Sequence, residues 1–359
     1  MEKKYIKYLI LSLIIVVICI GALNYIVDPL MYYQRYQRVF PVLYTEDPRY
    51  LIPGLIKNSK GHNAVIIGSS MVENFLPSQV HELFNEKTIK LSINGATLLE
   101  QSYVLSHYLD AHPNSKIIIW GMDTVSIDKD SENITTQEYS YPFFLYDDST
   151  INLQYLLNYE VTVHSFQTIA NNLLGIGFLM KTRDLDQINT WPGNTQTGCK
   201  KVFEHYRDTS RRYSDVLVQN FNNKNAIANL KRIVDLAERR RDVQFYFFLT
   251  PYSIVRYIYE VEHNGLERLL QARNFFAYKT KEISNIKIID LQASEDIISN
   301  LDYYKDMNHY NRTIKNTILK NIVDGNFDGY ESILENTEKL RALIGKYDFE
   351  KLKKCEFQL

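Results

Sequence analysis

The stretch Ala64-Val65-Ile66-Ile67-Gly68-Ser69-Ser70 decides how the rest of this chain is read. A short apolar, mostly β-branched run ends abruptly in a glycine and a serine pair. Such a run, bounded by a turn signal, is a strand buried on both faces. A helical period follows over Pro77 to Asn85, with Ser78 as its expected N-cap. The alternation then repeats. Thr88 to Ile93 reads as a strand, Leu98 to Leu109 as a helix, and Lys116 to Trp120 as a third strand ending at Gly121. Farther on come a helix at Asn225 to Arg240, a strand at Gln244 to Leu249, a helix over roughly 256–283, a strand at Ile286 to Leu291 and a helix at Tyr310 to Val323.

Strands alternating with helices predict the α/β class, with a doubly wound, flavodoxin-like parallel sheet of about five strands. In such sheets chemistry gathers at the carboxyl ends of the strands. Ser70, Gly95, Asp123 and the pair Thr250-Pro251 each follow a strand there.

The N-terminus carries a separate signal. Lys3, Lys4 and Lys7 precede Tyr8 to Val27, which holds no charge and is dominated by Leu, Ile and Val. Twenty residues at ~1.5 Å each span ~30 Å, the hydrocarbon thickness of a bilayer. Lysines ahead of the span place the N-terminus in the cytoplasm and the remainder outside. A cleaved signal peptide would have a shorter apolar core and a small-residue exit, which Ala22-Leu23-Asn24 does not supply. The expected layout is a cytoplasmic start (1–7), a transmembrane anchor (8–27), a juxtamembrane linker (28–60), an α/β domain (61–325) interrupted by an insertion (125–222), and a charged helical tail (326–359). Residues 39–60 read as irregular, and the insertion as polar, aromatic and built of short helices. Its cluster Tyr139 to Tyr146 suits a sugar-stacking wall, a membrane-partner contact or a small subdomain's core.

The formal charge of -1, from Lys+Arg 41 against Asp+Glu 42, gives no electrostatic reason to expect nucleic acid. The three cysteines, Cys19, Cys199 and Cys355, form no metal-ligand spacing, and unpaired thiols are expected over a Cys199–Cys355 bridge. No cofactor motif is present: neither a Walker loop nor a Gly-x-Gly-x-x-Gly string.

A serine nucleophile needs a base within hydrogen-bond reach, a carboxylate to fix that base's tautomer, and donors aimed at the developing oxyanion. Ser70 sits at a strand-to-helix turn, with Ser69 as the competing candidate. Asp306-Met307-Asn308-His309 sets a carboxylate three residues before an imidazole, spacing that lets Asp306 reach Nδ1 and leaves Nε2 for Ser70. Asn94-Gly95-Ala96-Thr97 offers backbone N–H groups. Tyr252, just past the fourth strand, either contacts substrate at the site rim or packs. His205 and His164, within the insertion, read as ordinary surface histidines.

These blocks, in this order, resemble the SGNH (GDSL-like) hydrolase superfamily over about residues 62–325. Gly68-Ser69-Ser70 matches the nucleophile block, with Ser in place of its middle Asp. Asn94 to Thr97 matches the oxyanion-glycine block, and Asp306 to His309 the Asp-x-x-His block. Gly121-Met122-Asp123-Thr124 stands where the family has Gly-x-Asn-Asp. The resemblance implies catalytic Ser70, His309 and Asp306, with Gly95 and Asp123 at the oxyanion hole. An ionised Asp123 would repel an oxyanion, so it needs a proton, a cationic neighbour or a pose pointing away.

The layout of an anchor plus an outward domain is similar to membrane-anchored proteins of cell-envelope O-acylation. These include alginate and peptidoglycan O-acetylation proteins and the D-alanyl transfer protein of the teichoic-acid pathway. That similarity implies a serine O-acyltransferase or esterase acting on an envelope polysaccharide or teichoic-acid-like acceptor, partnered by a multi-pass membrane O-acyltransferase and needing no cofactor. The rival expectation is a non-catalytic SGNH-fold protein that binds glycan or scaffolds that partner.

Overall fold

The structure, a computed structural model, describes residues 2–33, 39–41, 44, 47–134, 141–175, 184–192, 195–212, 220–348 and 350. The chain opens with α1 (Glu2–Val27) and α2 (Pro48–Asn58). Next come β1 (Ala64–Gly68), α3 (Pro77–Phe84), β2 (Thr88–Ser92), α4 (Leu98–Ala111) and β3 (Ile117–Met122). Then follow α5 (Leu153–Leu156), α6 (Tyr159–Leu174), α7 (Cys199–Arg212), α8 (Asn223–Arg239) and β4 (Gln244–Leu249). The last elements are α9 (Ile254–Glu262), α10 (Leu266–Thr280), β5 (Ile286–Asp290), α11 (Glu295–Ile298), α12 (Arg312–Asp324) and α13 (Tyr330–Lys346). They fall into two units, each made of two chain segments: residues 1–61 with 137–189, and 62–136 with 190–359.

The second unit holds the five strands, all parallel, in the order β2-β1-β3-β4-β5. This is the doubly wound, flavodoxin-like order expected from the alternation, with its switch point between β1 and β3. β1, β2 and β3 are buried along their whole length; β1 and β3 read as unbroken apolar runs, whereas β2 alternates Ile89 and Leu91 with buried Thr88, Lys90 and Ser92. Ile66, Ile119 and Phe248 join a core with α3, α9, α12 and α13. Trp120, pointing the other way, stacks on Phe247 at 5.3 Å and donates its indole N–H to Gln101 of α4 at 2.7 Å.

Two glycines let the central strands close at their carboxyl ends. A Cβ on Gly121 would lie 2.6 Å from Val72 and 2.9 Å from Phe248; one on Gly68 would lie 2.8 Å from Val72. Val72 therefore plugs the gap directly beneath the turn that carries Ser70. Gly121→Ala should overpack this plug and cost about 1–3 kcal/mol. A urea midpoint equal to wild type would contradict this.

The structure departs from the sequence reading at several points. Pro77 takes the first helical position of α3, so Ser78 lies inside the helix, and Leu76 at the N-cap supplies no side-chain bond. The helix expected over 256–283 is two helices, because Asn264 adopts φ 54° and Gly265 follows. The stretch read as irregular contains α2, started by Asp47, whose carboxylate accepts the Arg49 N–H, and by Pro48. The insertion carries two helices of ordinary length, α6 and α7. Cys199 is disulfide-bonded, against the expectation of unpaired thiols, and Cys19 is free; Cys355 lies outside the described residues. Of the aromatic cluster, residues 139 and 140 also lie outside them.

In the first unit, α1 is apolar and long enough to cross a membrane, with a mean hydropathy of 2.7. It ends on polar residues held by α5 and α6. Asn24 donates to the Leu156 carbonyl and to Thr162 Oγ, each at 2.8 Å, and accepts from Ser165 Oγ at 2.8 Å. Asp28, buried at φ 47°, accepts the Tyr32 N–H at 2.8 Å and the Tyr155 hydroxyl at 2.9 Å.

Candidate active site

β1 ends at Gly68, and its backbone turns at once into a short 3-10 segment, Ser70 to Val72. Ser69 is the N-cap of that turn: it is buried, and its Oγ accepts the Met71 N–H at 3.4 Å. Ser70, half-buried, is thereby turned toward the loop before α12. Its Oγ lies 2.8 Å from His309 Nε2. The choice between the two serines is thus made by capping: Ser69 is occupied by the backbone and Ser70 is aimed at the imidazole.

The Asp306–His309 loop is shaped by its own aspartate. Asp306 Oδ1 accepts the N–H groups of Asn308 at 2.8 Å and His309 at 2.9 Å, folding the carboxylate back under the ring. His309 Nδ1 then stands 2.7 Å from Oδ2 and 3.0 Å from Oδ1. Burial pushes the Asp306 carboxyl up, but its bonds to the His309 ring, the charge of that ring and the two backbone N–H groups outweigh burial and bring it down to about 2. At neutral pH Asp306 is an acceptor only, so Nδ1 carries the proton and Nε2 is free to accept from Ser70. The sequence-predicted trio Ser70, His309 and Asp306 is one hydrogen-bonded chain.

Buried side chains tie the two loops together. Tyr310, next to His309, donates its hydroxyl to the Met71 carbonyl at 2.7 Å. Asn74, just past the serine turn, donates to the Tyr310 carbonyl at 2.6 Å. An antiparallel bridge between Tyr304 and Tyr310 closes the neck of the loop, and Ser253 bonds the Met307 carbonyl through N–H at 3.1 Å and Oγ at 2.9 Å.

Gly95 lies beyond β2, beside the serine turn: Gly68 pairs with Ser92, and the Ile93 N–H reaches the Gly68 carbonyl at 3.0 Å. Gly95 is exposed, at φ 66°, a conformation that favours glycine. Among the described residues, neither the Ser70 nor the Gly95 N–H donates a backbone hydrogen bond outside helices and strands.

Asp123 follows β3 across the switch point. Burial pushes its carboxyl up to about 6, against the pull of Arg256, His309, the Val125 N–H and the Ser69 hydroxyl. Its Oδ1 is buried with no hydrogen-bond partner among the described residues. The side chain thus lies beside Ser69 and carries charge at pH 8 but largely not at pH 5. Asp123→Asn removes that charge. Its kcat/KM on a simple ester should exceed wild type by about tenfold at pH 8, ~1.4 kcal/mol of barrier, and match it at pH 5. A ratio of variant to wild type that stays flat across this range would count against any charge effect of Asp123 on turnover.

Tyr252 is not at a rim. It is 2 % exposed, packed edge-on against Tyr257 within the core, because the chain turns inward after Pro251 to start α9. Three residues that sequence reasoning missed or set aside do flank the trio. Trp191 presents its ring edge-to-face to His309 at 5.8 Å, bonds Glu73 through its indole N–H, and is covered by the Lys305 ammonium at 3.8 Å. With Asn74, Asn311 and Thr313 it also lines a cavity of about 190 Å³. Arg256 of α9 reaches Asn308 at 3.5 Å and pairs with Glu260, its Nε without a hydrogen-bond partner among the described residues. His205 of α7 is half-buried rather than superficial, its Nδ1 accepting the Met307 N–H at 3.4 Å. Lys305 beside the Asp-x-x-His string is the only local hint of an aromatic neighbour; nothing near Trp191 or Arg256 in sequence announces either. His164 sits in α6 of the other unit. Elsewhere in the second unit, a groove of about 540 Å³ between α4 and α8, lined by Ser102, Arg232 and Asp235, holds no nucleophile paired with a base. No cluster of His, Cys, Asp or Glu suited to a metal ion occurs among the described residues.

No family model matches the chain, and neither does any curated protein. One solved structure, from Streptococcus pneumonia and provisionally described as a platelet activating factor, superimposes with a TM-score of 0.38 at 14% identity, over 78% of this chain and 91% of its own.

Proposed function

We propose that this chain is a membrane-anchored serine acyl-transfer enzyme of SGNH type. One observation carries the reading: Ser70 Oγ at 2.8 Å from His309 Nε2, with Nδ1 of the same ring at 2.7 Å from the ionised Asp306. Each atom of that chain has one role in acyl transfer. Ser70 Oγ attacks the carbonyl carbon of an acyl donor as His309 Nε2 takes its proton. Asp306 holds the ring in the reactive tautomer and balances the imidazolium charge. The negative oxygen of the tetrahedral intermediate is met by the Ser70 and Gly95 N–H groups. The intermediate collapses when Nε2 returns its proton to the leaving oxygen, which leaves the acyl group on Ser70. A hydroxyl, activated in the same way, then takes the acyl group.

The family resemblance and the apolar α1 support an envelope polysaccharide, or a teichoic-acid-like polymer, as the hydroxyl donor outside the cytoplasm. Water in that place makes the same site an esterase. In the transferase case the acyl group is handed over by a multi-pass membrane O-acyltransferase. A fluorophosphonate probe tests the core of the proposal. The full-length chain in detergent should be labelled, and peptide mapping should place the adduct on Ser70 rather than Ser69. A folded but unlabelled protein would reject the enzyme reading in favour of a glycan-binding scaffold.

A further inference from the structure

In the first unit, α5 and α6 pack against the last turns of α1. A Cβ on Gly21 would lie 3.9 Å from both Leu156 and Leu157. Gly21 is six residues before the end of α1, about 9 Å back along its axis. Asn24, closer to that end, is held by Leu156, Thr162 and Ser165. If α1 crosses a bilayer as its length and hydropathy allow, these partners stand beside its final ~9 Å. That is the depth of the boundary between headgroups and acyl chains.

α6 has a second apolar face. Val161, Ser165 and Thr168 are buried on one side. Tyr159, Phe166 and Leu173 recur every seven residues on another, and are 76%, 61% and 67% exposed. A seven-residue spacing drifts by only ~20° per repeat, so the three form one stripe. Glu160, exposed, begins a separate polar strip that continues through the part-buried His164, Gln167 and Asn171 on the same helix. In α5, Leu153 is 64% exposed beside these. A helix with one packed face, one exposed apolar stripe and one polar strip, held at the end of a span, fits a lipid surface. Tyr at one end of the stripe suits headgroup level.

We propose that α5 and α6 form an interfacial membrane anchor, seated in the leaflet that surrounds the Val27 end of α1, with Tyr159, Phe166 and Leu173 at the acyl boundary. The inference rests on α1 being a membrane span, and its test separates the two. Full-length protein with Cys19→Ala is reconstituted into vesicles of phosphatidylcholine and phosphatidylglycerol. Single cysteines at Val16, Glu160, Phe166 and Leu173 carry a nitroxide. Their collision rates with oxygen, which concentrates in lipid, are compared with those of a water-soluble nickel chelate. Labels at Val16, Phe166 and Leu173 should favour oxygen several-fold over the label at Glu160, and fluorophosphonate labelling checks that each variant keeps its α/β unit folded. A shielded Val16 with Phe166 and Leu173 as nickel-accessible as Glu160 would overturn the anchor while keeping the span. Such a result would point to a protein partner for the stripe. A nickel-accessible Val16 would remove the span, and the anchor with it.

Discussion

Ser70→Ala is expected to lower acyl-transfer turnover by about four to six orders of magnitude while leaving the fold intact. The serine side chain is half-buried, and its hydroxyl serves the imidazole rather than the backbone, so its loss leaves no cap unmade. His309→Ala should cost about as much, because the two act as one unit, and the double variant should be little worse than either single one. Asp306→Asn should be nearly as damaging for a different reason. The amide can present its N–H₂ to Nδ1, which favours the tautomer with the proton on Nε2, where it blocks the attack. Ser69→Ala is the discriminating control. Ser69 caps the serine turn and touches Asp123, so its loss should reduce stability modestly and turnover far less than that of Ser70. Turnover of p-nitrophenyl acetate by all five variants decides the matter. If Ser69→Ala were the dead variant and Ser70→Ala active, the nucleophile assignment would be wrong.

The largest effect on stability is expected far from the serine. Arg273 of α10 and Asp290 at the end of β5 pair with both side chains at 0% exposure. Asp290 also accepts from Asn336 of α13 at 3.1 Å and from the Gln292 N–H at 3.1 Å. The guanidinium reaches the Ile333 carbonyl at 3.3 Å, but its Nε and Nη1 have no partner among the described residues. Asp290→Ala leaves a buried cation without its counter-ion, and should destabilise the α/β unit by about 3–5 kcal/mol. Removing both charges, as Arg273→Met with Asp290→Leu, should recover much of that loss, since the pair's own desolvation roughly offsets its attraction. Urea unfolding followed by tryptophan fluorescence reads the unit directly, because Trp120 and Trp191 both belong to it. A double variant no more stable than Asp290→Ala would show that the pair has a packing role that apolar side chains cannot replace.

What could be read from sequence follows from the range of the interactions. The sheet was legible because strands covered on both faces leave unbroken apolar runs, Ala64 to Ile67 being the clearest. Asp306 and His309 were legible because their contact is made within one short loop. Ser70 and Gly95 were found through the place of their turns after β1 and β2. Trp191 and Arg256 were not, because their relation to His309 exists only once distant elements are packed. Tyr252 was misplaced for a related reason: whether a residue past a strand faces the site or the core depends on which way the next helix leaves. α2 was missed although Asp47-Pro48 is a sound helix start, because the surrounding stretch shows little periodicity.

The polar end of α1 also has a history in time. Asn24 meets Thr162 across 138 residues of sequence. At about 5–20 residues per second of synthesis, the partner is made roughly 7–28 s after the asparagine. During that interval the amide has none of the native acceptors that satisfy it in the folded chain. If α1 inserts into a bilayer, as proposed above, its insertion is carried by the leucines, isoleucines and valines before Asn24. α5 and α6 then act as a late lock, closing on a helix that has already found its place.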